Sequence, residues 1–180
     1  MRDALGGTVN LVIIVFFIVF GLGYLAFNIN YTKAFRLKDK VVATYNKFNG
    51  KCDYGCVEGH DCSSICLLQI KTYAQEIGYS RSDLDCSIYN VGGKVFQNSG
   101  TISPDYKNYF CYRVIKVSEK KENDKSYYEE GTCRFYVEVI TSIYTELPVI
   151  NQVLDVANQK FTIRGNTKIF TASSSSTYCN

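Results

Sequence analysis

Residues 6–35 read GGTVNLVIIVFFIVFGLGYLAFNINYTKAF, and how this stretch is read decides the fold. From Val9 to Phe27 there is no charge, and Asn10 is the one clearly polar member. At ~1.5 Å of rise per residue, about nineteen helical residues reach ~28 Å, close to the ~30 Å hydrocarbon core of a bilayer. A cleavable secretory signal has a basic start, an apolar core of ~7–15 residues and a small-residue exit. This run is longer and leaves through Asn28-Ile29-Asn30-Tyr31, so we read it as a retained membrane span.

Beyond the span, NYTKAFRLKDKVVATYNKF carries Tyr31, Ala34, Phe35, Val41, Val42, Tyr45 and Phe48 at three- and four-residue steps, with the aliphatic stem of Lys38 bridging the stripe. No proline interrupts Val9 to Lys47, and the FNG at 48–50 supplies a stop. The pattern predicts one helix of about 39 residues and ~58 Å, half in lipid and half an amphipathic stalk. The organisation that follows is a short amino-terminal flank over 1–8, a span over 9–27, a stalk over 28–49 and a cysteine-rich α+β domain over 50–180.

Net charge is +3, and the aromatic residues are mainly tyrosines within strand-like segments, which excludes the basic, aromatic-interleaved signature of a nucleic-acid binder. All 8 cysteines follow the anchor: Cys52, Cys56, Cys62, Cys66, Cys86, Cys111, Cys133 and Cys179. An even, dense set points to disulfides in an oxidising compartment. Flanking charge points the other way. Lys33, Arg36, Lys38, Lys40 and Lys47 outweigh Asp39 on the carboxyl side, which the positive-inside rule would keep in the cytoplasm. On that alternative, Cys52, Cys56, Cys62 and Cys66 would form a four-thiolate zinc site with His60 to spare. We let cysteine usage decide, placing the domain outside the cytoplasm with neither metal nor cofactor.

The domain reads as a helix and an antiparallel sheet. DCSSICLLQIKTYAQEIGYS places Cys62, Cys66, Leu67, Ile70, Tyr73, Ala74 and Ile77 on one helical face, with Asp61 as a cap and Gly78 near the end. Cys62 and Cys66 lie one turn apart and are expected to bridge to different partners among Cys52, Cys56, Cys86 and Cys179. NVGGKVF signals a hairpin, and YFCYRVIKV and CRFYVEVITSIY signal paired strands; a Cys111–Cys133 bridge between these is left open. VINQVLDVAN is expected as a short helix and KFTIRGNTKIF as a closing strand, with Cys179 tying down a Ser-rich tail.

This order of parts is pilin-like, and two segments carry a closer resemblance. GGTVNLVIIVFFIVF followed by YTKAFRLKDKVVATYNKF, together with FYVEVITSIYTELPVINQV and FTIRGNTKIF, resembles the pseudopilins of tight-adherence (Tad) pili of the TadE kind. The resemblance spans about 40 residues at each end and leaves 50–130 unaccounted for. It implies a minor structural subunit of a pilus or pilus-assembly system in the bacterial cell membrane, with membrane lipid and other pilin-like subunits as partners. It further implies processing on the cytoplasmic side, for which Gly7 is the candidate, and a Glu five residues into the mature chain. Val12 stands at that place, and no acidic residue occurs between Asp3 and Asp39. The helix face expected to meet neighbours comprises Asn10, Tyr31, Phe35, Val42 and Tyr45.

No catalytic constellation is legible. His60 is read as a loop residue, Asp83 and Asp85 as a capped turn, Gly92-Gly93 as a turn and SEKKENDK as a solvated connector. A structural subunit is therefore expected rather than an enzyme, and no small-molecule substrate is inferred. The alternatives are a membrane-tethered binding or adhesion module and the cytoplasmic zinc protein.

Overall fold

The computed structural model describes residues 2–50, 52, 62–79, 84–90, 95–98, 109–117, 132–143 and 161–173. Helix α1 runs without interruption over Arg2–Lys47, 46 residues. It ends where the FNG stop was expected. Asn49 takes φ 52° and Gly50 φ 77°, while Gly50 N–H donates to Tyr45 O at 2.8 Å and Asn49 N–H to Asn46 O. This six-to-one closure satisfies carbonyls that the last turn would otherwise leave unpaired. Helix α2, Cys62–Glu76, ends the same way, with Gly78 at φ 64° and Tyr79 N–H on Ala74 O at 2.8 Å. The expected Asp61 cap lies outside the described residues.

Five strands form one antiparallel sheet: β1 (Gln97–Asn98), β2 (Cys111–Lys116), β3 (Thr132–Ser142), β4 (Thr162–Asn166) and β5 (Phe170–Ser173). β3 is the central strand, with β2 along one edge and β4 then β5 along the other. The pairing of β2 with β3 matches expectation. The closing strand differs: it is split. Thr167, Lys168 and Ile169 oppose only Tyr136 and Val137, a bulge that leaves Thr167 to bridge the gap. Thr167 N–H donates to Val137 O, and Val137 N–H donates to Thr167 Oγ1 at 2.9 Å, the hydroxyl replacing a ladder carbonyl.

Side-chain alternation gives the sheet two buried faces. On one, Tyr112, Phe135, Val137, Val139, Thr141 and Phe170 meet Ala34, Leu37, Val41 and Tyr45 of α1. Thr141 Oγ1 donates to Ala34 O at 3.0 Å. Cys66, Leu67, Ile70 and Ala74 of α2 join the same core. The burial line on α1 differs from the expected stripe at three positions: Leu37, flanked by Arg36 and Lys38, is fully buried, whereas Tyr31 and Phe35 are exposed.

The other face holds a second core of Leu84, Cys86, Tyr89, Phe96, Cys111 and Ile140. The segment that covers it includes a 3-10 turn, Ser87–Tyr89, just ahead of the expected NVGGKVF hairpin, whose glycine turn lies outside the described residues. Asn90 Oδ1 accepts from Phe96 N–H at 2.8 Å, and 97–98 pair with 111–112 across the sheet. Phe96 then lies under the Arg113 guanidinium, which pairs with Glu138 directly opposite on β3.

Two disulfides are described. Cys52–Cys66 ties the exit of α1 to α2, and Cys86–Cys111 ties the second core to β2. The Cys111–Cys133 bridge is therefore ruled out, although Cys133 is itself disulfide-bonded. The four-thiolate zinc set does not fit either, because the sulfurs of Cys52 and Cys66 are bonded to each other. Gly92-Gly93, His60, Asp83, Cys56, Cys179 and the VINQVLDVAN segment lie outside the described residues.

Candidate functional site

From Thr8 to Phe20 every side chain of α1 is exposed among the described residues. Its most apolar 18-residue window has a mean hydropathy of 2.6 and no buried residue. Phe16, Phe17 and Phe20 are each about two-thirds exposed, as are Val12 and Leu11. Monomeric soluble proteins rarely expose a contiguous apolar patch beyond a few hundred Å². This helix is long and apolar enough to serve as a single membrane span, and the disulfides suit an oxidising, extracytoplasmic setting for the folded part.

Where the helix leaves its apolar run, polar side chains fold back on it. Asn28 Nδ2 donates to Tyr24 O, Asn30 Nδ2 to Ala26 O, and Thr32 Oγ1 to Asn28 O, all within 2.9 Å. Self-satisfied amides and hydroxyls of this kind are tolerated in a bilayer's boundary region. The uncharged stretch thus extends from Ala4 to Thr32, about 29 residues and ~43 Å of helix, comparable to a whole bilayer including its headgroups at ~40–45 Å. Lys33 is the first charge beyond it. The folded part begins about six residues, ~9 Å of helix, below that charge: the Phe27 ring meets Phe161 edge to face at 5.7 Å.

An open groove of about 500 Å³ lies here between α1 and the end of α2. Leu25, Asn28, Ile29, Thr32, Lys33 and Arg36 form one wall at three- and four-residue spacing, and Glu76 and Ile77 form the other. Lys33 Nζ donates to Gly78 O at 3.0 Å, putting a cation on the carbonyl end of α2. That spacing was legible in the sequence, but an apolar-stripe reading passes over positions occupied by Asn, Thr, Lys and Arg.

The other flanking cations have places in the fold. The stem of Lys38 lies over Gly165 and its ammonium over the Phe35 ring at 4.0 Å, also pairing with Asp39. Lys40 sits over Tyr73 and Lys47 over Phe48. These cations therefore have packing roles in the fold.

The structure separates the residues expected to form an assembly face. Tyr45 is buried against Phe110 and Tyr112, and Val42 packs beside Gly165. Tyr31 and Phe35 stack on each other at 6.4 Å on the exposed side, and Asn10 is exposed far down the span. Gly7 lies within α1. Asp85 Oδ1 accepts from both Ser87 N–H and Ser87 Oγ–H, the capped turn expected of it. Among the described residues no group of three or more His, Cys, Asp or Glu side chains could hold a metal ion. No protein-family model, curated protein or solved structure matches the chain.

Proposed function

We propose that the chain is a membrane-anchored structural subunit, with its amino terminus in the cytoplasm and its disulfide-bonded head outside, that assembles laterally as a TadE-like minor component of a pilus or pilus-assembly system. One observation carries this reading. A single helix is the spine of the head over Ala34–Tyr45 and is bare over Val9–Leu25, so that lower part of it lacks an apolar partner among the described residues. In lipid that part is at rest, and against copies of itself it would pack by van der Waals contact. Disulfides support the outer location, and the packing roles of Lys33, Lys38, Lys40 and Lys47 weaken the opposing charge rule. The chain lacks the acidic residue of the TadE pattern, so its subunit contacts would rest on apolar packing alone.

The test uses the full chain in its membrane. Single cysteines placed in turn at Val12 to Val19 are oxidised, and crosslinked species are separated on a gel. Crosslinking at every third or fourth position supports lateral assembly; monomers at all positions favour a tethered binding module. In intact cells an impermeant maleimide is expected to label the native cysteines only after an impermeant reductant. Labelling that needs opened cells and no reductant would reverse the orientation.

A further inference from the structure

We propose that the groove between α1 and the end of α2 seats an anionic phospholipid, with Arg36 and Lys33 on its phosphate and Leu25, Ile29 and Ile77 against its upper acyl segments. This rests on the reading of α1 as a membrane span, and it holds in either orientation of that span.

Position along the helix argues for lipid as the occupant. The groove opens where the ~43 Å uncharged stretch ends, so its base is at the depth of acyl carbons and its rim at that of phosphates. Its lining changes character in the same order: Leu25 and Ile29 below, Asn28 and Thr32 between, Lys33 and Arg36 above. The polar middle offers little competition for a bilayer's ester region, because the Asn28 amide and the Thr32 hydroxyl already donate to their own helix. Charge complementarity sets the headgroup class. Two cations face one carboxylate, Glu76, which leaves a net positive rim. Lys33 is held in place by Gly78 O, while Arg36 is exposed and can turn its planar fork onto a phosphate. A zwitterionic headgroup gains little from such a rim. An anionic one is favoured by roughly fivefold for each basic residue at the surface.

The full-length chain is reconstituted into nanodiscs containing equal amounts of phosphatidylglycerol and phosphatidylcholine, and the lipids retained on its release are read by native mass spectrometry. Retention of phosphatidylglycerol over phosphatidylcholine is expected for the wild type. Arg36→Gln should reduce that preference roughly fivefold, and Arg36→Lys should keep most of it. Arg36 is exposed, so neither variant disturbs the core. Equal retention of both lipids, or a preference unchanged in Arg36→Gln, overturns the proposal. Flotation with pure phosphatidylcholine vesicles separates the two readings. A chain that floats but shows no lipid preference loses only the groove proposal; one that does not float loses the membrane span and the groove together.

Discussion

Two residues show how closely α1 is fitted to the sheet. A Cβ on Gly50 would sit 2.8 Å from the Phe170 ring and 2.9 Å from that of Phe135, at a φ of +77°. Gly50→Ala therefore combines left-handed strain with overpacking and is expected to cost about 2–4 kcal/mol, read as the guanidinium unfolding midpoint of the detergent-solubilised chain. Thr167 is the other. Its hydroxyl is the acceptor that keeps Val137 N–H paired across the bulge, so Thr167→Val should cost about 1–3 kcal/mol while Thr167→Ser stays close to wild type. A Thr167→Val variant as stable as wild type would mean that the ladder has another way to close. Neither role could be read from the sequence. The FNG stop announced a helix end, but not that two phenyl rings close over its glycine. Thr167 is one of many strand threonines until its neighbours are known.

At the scale of elements, what was local was legible and what was long-range was not. The 3.6-residue pattern gave α2 its buried residues Cys66, Leu67, Ile70 and Ala74, and β-branched, aromatic runs marked β2 and β3. The second core stayed hidden because its members come from separate segments, with Cys111 and Ile140 far along the chain from Leu84, Cys86, Tyr89 and Phe96. Its members are gathered by the Cys86–Cys111 bridge and by the reverse side of β3, contacts that no window of neighbouring residues contains. Leu37 was missed for a related reason: charged neighbours mask a buried position when the face of a helix is judged by runs rather than by angle. The groove shares that origin, since its wall is periodic in polar residues. The Cys86–Cys111 bridge closes a separation of 25 residues, so replacing both with Ser should cost about 3.5 kcal/mol. The loss should be local at first. Hydrogen exchange is expected to accelerate over 84–96 while the amides of α2 keep their protection. Uniform acceleration across the chain would show that the two faces of the sheet unfold as one.

For the whole molecule, the governing fact is that one element belongs to two environments. Its upper half is held by a sheet, a second helix and a disulfide near its end; its lower half has no cover among the described residues. The head adjoins the helix from Phe27 upward, which leaves little free stalk between fold and lipid. A tether that merely keeps a binding domain near a surface gains nothing from such continuity, and a flexible linker would serve it equally well.

An unbroken helix also has a phase. Each residue added within the uncovered stretch, between Gly21 and Leu25 for instance, lifts the head by ~1.5 Å and turns it by ~100° about the axis, with no change inside the head. One or two added residues would point the Tyr31–Phe35 side away from a neighbour that the lower half still contacts. Three or four would bring it back near its original heading, about one turn higher. Crosslinking yield through the exposed part of the head should therefore fall and recover with a period near that of the helix. A flat response would mean that the head does not depend on which way it faces.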